Sequence, residues 1–111
     1  MSEKKDNREH AFDFELAEIV GLEKAILLKN VSYWCEENAR KRSKPYLKNG
    51  HYWTSESLRS LSEKYRYFKR SSISRWMKEM EAAELVIVNR ATAEVNYYRT
   101  GPVYDRWRSG E

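Results

Sequence analysis

Ser71-Ser72-Ile73-Ser74-Arg75-Trp76-Met77-Lys78-Glu79-Met80-Glu81-Ala82-Ala83-Glu84-Leu85 is the stretch on which the fold turns. Ile73, Met77 and Met80 stand at i, i+4 and i+7, one apolar stripe on a helix. Ser71 or Ser72 offers an N-cap oxygen to the free amides of the first turn. The opposite face carries Ser72, Ser74, Arg75 and Lys78, hydroxyls and cations with no acid among them, and Glu79, Glu81 and Glu84 come later. Such a helix suits insertion into a DNA major groove by its N-terminal end. The same pattern also fits an ordinary amphipathic surface helix, so the flanking sequence has to decide.

Downstream the period changes. Leu85-Val86-Ile87-Val88 is apolar and β-branched, and residues 94–100 alternate loosely, with Val95 and Tyr97 on one face. Asn89-Arg90-Ala91-Thr92-Ala93 is short enough for a hairpin loop, with Arg90 at its tip. Gly101-Pro102 ends the second strand, and residues 103–107 fit either a last helical turn or an extended tail.

Upstream, Leu58, Leu61 and Tyr65 mark a helix of about two and a half turns. Residues 66–70 form a tight connector, with Phe68 as a plug for the core. Before this helix, His51-Tyr52-Trp53-Thr54 reads as a short aromatic strand that stops at a cap, Thr54 or Ser55. Residues 43–50 are a basic loop with Pro45 and the turn signal Asn49-Gly50.

Residues 22–42 carry the clearest helical period. Leu27, Val31 and Trp34 lie on one stripe, with Leu28 and Cys35 beside it and Leu22 and Ile26 at its edge, so this helix packs on more than one neighbour. Asp13 caps a shorter helix to about Val20, with Phe14, Leu16 and Ile19 available for burial, and Gly21 breaks it. Residues 1–11 are polar and aperiodic and read as a disordered N-terminal segment.

At 111 residues the chain is long enough for one modest core, here residues 12–111. Its 21 basic and 17 acidic residues leave a net charge of +4, a mild excess whose distribution matters more than its size. Between Arg59 and Lys78 seven cations face one acid, Glu63, and residues 36–48 add five more against Glu36 and Glu37. Clustering of this kind fits a polyanion partner.

Cys35 is the one cysteine, which excludes a disulfide within the chain, suits a reducing cytoplasm and reads as a small core residue. There is no apolar run of membrane-spanning length, so no membrane partner is expected. His10 and His51 have no Cys or carboxylate at ligand spacing, so neither a metal nor another cofactor is expected. Without a glycine-rich phosphate loop, a nucleophile triad or a convincing acid pair, an enzyme is not expected either. The aromatics Trp34, Tyr52, Trp53, Tyr97 and Tyr98 fit core positions better than stacking platforms, and Trp76 stands between the two.

Helix, helix, short strand, helix, tight turn, helix, hairpin is the order of a winged helix-turn-helix, mainly α with a small β-hairpin wing. Residues 54–88 resemble the winged-helix core of bacterial regulators, with Glu84 where that core usually has glycine. A narrower resemblance covers residues 15–88. Gly21-Leu22-Glu23-Lys24-Ala25-Ile26-Leu27-Leu28, then Tyr33-Trp34, then Gly50-His51-Tyr52-Trp53-Thr54 is similar to the N-terminal domain of phage and mobile-element replication initiators, the replisome organisers and DnaD-like proteins. This resemblance implies binding of origin DNA beside other replication proteins. Such proteins usually carry a further C-terminal domain, for which these residues leave no room. The chain is then a piece of a longer protein or a stand-alone DNA-binding module.

Two functional readings follow. In the first the chain binds double-stranded DNA, in replication or as a transcriptional regulator. Ser72, Ser74, Arg75 and Lys78 lie nearest the bases, with Arg75 best suited to read guanine. Lys69, Arg70 and the helix-start amides, Ser71 among them, hold phosphates, and Arg90 enters the minor groove or grips the backbone. A homodimer fits a two-fold symmetric site, with Phe12 and Phe14 as contact candidates. In the second the chain is a protein-interaction module that works through residues 12–35 or 103–107.

Overall fold

The computed structural model of the chain describes residues 10–90 and 95–110. Helix α1 (Phe14–Val20) and helix α2 (Leu22–Arg40) meet at Gly21, whose φ of 98° lies outside the range L side chains readily adopt. Gly21 NH closes α1 on Ala17 O, and Gly21 O accepts the Ala25 amide of α2, so one residue both ends and starts a helix. Asp13 takes the N-cap position of α1 without a side-chain cap bond. Of the three apolar residues expected to be buried in α1, only Leu16 is, because a seven-residue helix turns one narrow stripe inward; Phe14 and Ile19 are 71% and 66% exposed.

Helix α2 is the central post. Ala25, Ile26, Leu27, Leu28 and Val31 are buried on a wide face, as its period requires. Trp34 departs from that stripe and is 37% exposed, with Lys64 over its ring. Cys35 packs against the core with its Sγ 3.5 Å from Tyr98 O, and burial lifts its thiol to about 11. It stays protonated and inert at neutral pH.

After α2 a 3-10 turn (Lys44–Tyr46) leads into β1 (Leu47–Lys48) and β2 (His51–Tyr52), which pair antiparallel around Asn49-Gly50. Both turn residues have positive φ, 54° and 78°, the geometry that suits the twist of a two-residue hairpin. The basic loop is therefore a braced hairpin. Trp53 interrupts the strand-like run, and β3 (Thr54–Glu56) follows. The cap of α3 (Leu58–Lys64) is Ser57, not Thr54 or Ser55, because Ser57 and Ser60 exchange side-chain to backbone bonds at 2.9 and 3.0 Å.

Helix α4 (Arg70–Ala82) buries Ile73, Met77 and Met80 at 0, 6 and 0% exposure. It ends in a Schellman turn: Leu85 NH donates to Met80 O and Glu84 NH to Glu81 O. Glu84 adopts φ 60° there, so the turn forms with a non-glycine residue in the left-handed region. Strand β4 (Val86–Arg90) and β5 (Asn96–Thr100) follow, then α5 (Pro102–Ser109). The sheet order is β3-β5-β4, all antiparallel, with Tyr98 opposite both Thr54 and Val88. The molecule is thus mainly helical with a small antiparallel sheet.

Helix α5 settles the two alternatives for residues 103–107, with Pro102 at its first turn, where a missing NH costs nothing. Tyr104 is 2% exposed and donates to Ser32 Oγ of α2, which also accepts from Arg108. Trp53 and Tyr98 are core residues, while Tyr52 and Tyr97 are half-buried.

Candidate nucleic-acid interface

The connector before α4 is short because Phe68 NH donates back to Tyr65 O, and Phe68 packs edge-on against Trp76 at 4.9 Å. That contact settles Trp76 as a half-buried packing residue, with the Arg75 guanidinium also over its ring at 5.7 Å. It also starts α4 earlier than the serines suggest. The N-cap is Lys69, not Ser71 or Ser72, and Lys69 has no oxygen on its side chain to offer. The first helical bond runs from Ile73 NH to Lys69 O, so the amides of Arg70, Ser71 and Ser72 have no carbonyl of their own helix to donate to. An uncapped helix start beside the Lys69 and Arg70 side chains concentrates positive potential.

With Ile73, Met77 and Met80 facing the core, Ser71, Arg75 and Lys78 form the outward row at i, i+4 and i+7. Ser72 and Ser74 are half-buried at its flanks. Ser74 turns into a cleft of about 210 Å³ between α4, α3 and the sheet, beside Leu58, Leu61 and Val88. Of the two serines expected nearest a ligand, neither lies on the outermost line, and Ser71 takes that place.

The cations sort by partner. Lys64 leaves the surface cluster: it donates to Asn30 Oδ1 at 2.9 Å and lies 3.7 Å from the buried Glu56, which also accepts from Asn30 at 3.0 Å. Arg59 pairs with Glu63 at 3.3 Å. Arg75 is not free of acids, since its Nε lies 3.8 Å from Glu79. Glu79 is held more closely by Lys24 of α2, at 2.8 Å, and the Lys24 hydrogen bond keeps its carboxyl below the usual range. Lys69, Arg70 and Lys78 have no ion pair among the described residues.

Arg90 differs from its expected place. It is the last residue of β4, paired with Asn96, and the turn residues 91–94 beyond it lie outside the described residues. Its guanidinium grips Glu81 of α4 through two bonds, at 2.7 and 3.0 Å, and these hold the Glu81 carboxyl below the usual range. Arg90 ties the hairpin to α4 instead of standing at a tip.

The Asn30-Glu56-Lys64 network and the Glu81–Arg90 clamp were not legible in the sequence. Their partners are distant in the chain, and no spacing rule joins them. Among the described residues no group of His, Cys, Asp or Glu is placed to hold a metal, and no helix is long and apolar enough to cross a membrane. No family model, curated protein or solved structure matches the chain.

Proposed function

We propose that this chain is a winged helix-turn-helix that binds duplex DNA through α4, as a non-enzymatic cytoplasmic factor in the replication initiation of a phage or mobile element. One observation carries the reading. The outward row Ser71-Arg75-Lys78 begins at a helix start that is uncapped and flanked by Lys69 and Arg70, which have no ion pair among the described residues. Supporting it, α3 and α4 lie between strands β3 and β4 in the chain, and β5 returns between those strands, the order of a winged domain with β4-β5 as wing. The replication role rests on the resemblance of residues 15–88. The test is an anisotropy titration against duplex selected from random sequence; no binding at low salt rejects the reading.

Arg75 and Lys69 separate specificity from general attraction. Arg75→Ala is expected to cost about 1–3 kcal/mol on the selected site and much less on unrelated DNA. Lys69→Ala, a phosphate contact, weakens both alike and reduces the salt slope by about one unit. Neither side chain is in the core, so misfolding does not mimic the pattern. Equal losses on both duplexes for Arg75→Ala would assign it to the backbone.

The exposed Phe12, Phe14, Ile19 and Leu22 support a second copy as a further partner, since four large apolar side chains open to water within one short segment favour a protein contact. Light scattering is expected to give twice the mass of the 13.3-kDa chain, and Phe14→Ser to halve it. A monomer at high concentration, with and without DNA, excludes the dimer.

A further inference from the structure

Residues 38–55 contain five Lys or Arg and no Asp or Glu. Of the acids nearest this segment, Glu36 is engaged by Arg108 and Glu56 in its buried network, while Glu37 pairs with Arg40 and takes that one cation out of the set. Lys41, Arg42 and Lys44 are left exposed with no ion pair among the described residues, and Lys48 lies over the Tyr97 ring at 4.6 Å. Cations at a helix C-terminus favour the helix dipole, which accounts for Arg40 and Lys41. It does not account for Lys44 and Lys48, which lie beyond the helix, in the 3-10 turn and in β1.

The β1-β2 hairpin is braced. Trp53 NH donates to Tyr46 O at 2.9 Å, the Trp53 indole donates to Lys48 O at 3.2 Å, and Asn38 of α2 donates to Trp53 O at 2.8 Å. Arg99 covers the Trp53 ring at 5.3 Å. Lys48 projects from this platform. The backbone of Lys41, Arg42 and Lys44 is tied to it by Arg42 NH on Ala39 O, Ser43 NH on Asn38 O and Tyr46 NH on Ser43 O, which spares a ligand part of the entropy of ordering a loop. The platform also faces away from α4. Tyr98 and Asn96 line the cleft beside α3 and α4, so Tyr97, between them in β5, points to the opposite face of the sheet. There it meets Tyr46 at 6.5 Å and Lys48.

We propose that the C-terminal end of α2, the 3-10 turn after it and the β1-β2 hairpin form a second nucleic-acid surface, across the sheet from α4, which holds the phosphate backbone of a separate strand or duplex segment. Acid-free cations braced on a half-buried aromatic base fit a sugar-phosphate backbone, where Lys41, Arg42 and Lys44 meet successive phosphates. The surface is independent of α4, so the two faces together hold two segments at once.

The full-length chain is compared with Lys41→Gln/Arg42→Gln/Lys44→Gln and, separately, with Lys69→Gln/Arg75→Gln. Anisotropy is read on a single-stranded oligothymidine, on a random duplex and on the selected short duplex. Energy transfer between two differently labelled duplexes reports bridging. The Lys41/Arg42/Lys44 variant (the hairpin-side variant) is expected to lose about tenfold or more at low salt on the oligothymidine or the random duplex, with a salt slope lower by about two units on the single strand or nearly three on the duplex. It is also expected to lose bridging and to keep its preference for the selected site over random DNA. Whether the oligothymidine or the duplex suffers more identifies which form the hairpin takes. Unchanged affinities and slope overturn the proposal and leave a solvated hairpin. Loss of the site preference also overturns it, by placing the hairpin in one footprint with α4. If the α4 variant changes nothing while the hairpin variant does, the α4 reading fails and this surface stands. All substituted side chains are exposed or paired only weakly, and circular dichroism confirms the fold of each variant.

Discussion

Raising the salt from 50 to 200 mM is expected to weaken binding of a short selected duplex about 500-fold. Each neutralised phosphate contributes about −0.9 to the slope of log K against log salt, so about five give about −4.5, and a fourfold rise in salt then costs about 2.7 decades. Lys69, Arg70 and Lys78 carry no ion pair among the described residues, so nothing internal must be broken for them to meet phosphate. Arg75 gives up only a 3.8 Å contact with Glu79. The amides of Arg70, Ser71 and Ser72 add a fixed positive pole. Anisotropy titrations at four or five salt concentrations measure the slope. A value shallower than about −2 would mean that these side chains stay in solvent and that α4 is not the docking helix.

Gly101→Ala is expected to destabilise the fold by about 3 kcal/mol, lowering the melting temperature by about 10–20 °C. Its φ of −93° is open to any residue, so the constraint is space. A Cβ there would lie 2.3 Å from Glu84 O and 2.8 Å from Glu84 C, both backbone atoms. No rotamer change relieves that overlap. The two chain segments are also stitched together, with Gly101 NH donating to Leu85 O at 2.8 Å and Val103 NH to Glu84 O at 3.2 Å. Moving the backbone would break both bonds and lift α5 from α2. Gly110→Ala is the comparison: its added Cβ meets open space, and only the positive φ of 84° opposes it, for about 1 kcal/mol. Thermal melts followed by circular dichroism decide. A Gly101→Ala melting point equal to wild type would contradict the close approach of the two turns.

The long elements were legible because period survives without tertiary information. Ile73, Met77 and Met80 lie where their spacing puts them, and so do Leu27, Leu28 and Val31. What failed was local chemistry overruled by packing. Serines cap better than lysine, yet Phe68 on Trp76 fixes the turn and starts α4 at Arg70. That shift leaves Ser71 on the outward row. The same limit hid the capping pair Ser57–Ser60, in which serine replaces the more familiar glutamate. Of the candidate site, the Lys69-Arg70-Arg75-Lys78 set was readable as a charge cluster. The fate of Lys64 and Arg90 was not, because Glu56 and Glu81 reach them only after the chain has folded.

Strand β5 is hydrogen-bonded on both sides, while β3 and β4 do not touch each other. A ribosome makes the two outer strands first. Until residues 96–100 emerge, neither has a partner in this sheet, and the core side of α4 lacks Tyr98. The β4-β5 pairing is local, Arg90 opposite Asn96, but the β3-β5 pairing joins Thr54 to Tyr98 and bears a loop-closure cost before it returns any energy. The first of the three strands to be made is therefore the last to be paired, because β3 finds its partner only in the strand that ends the sheet.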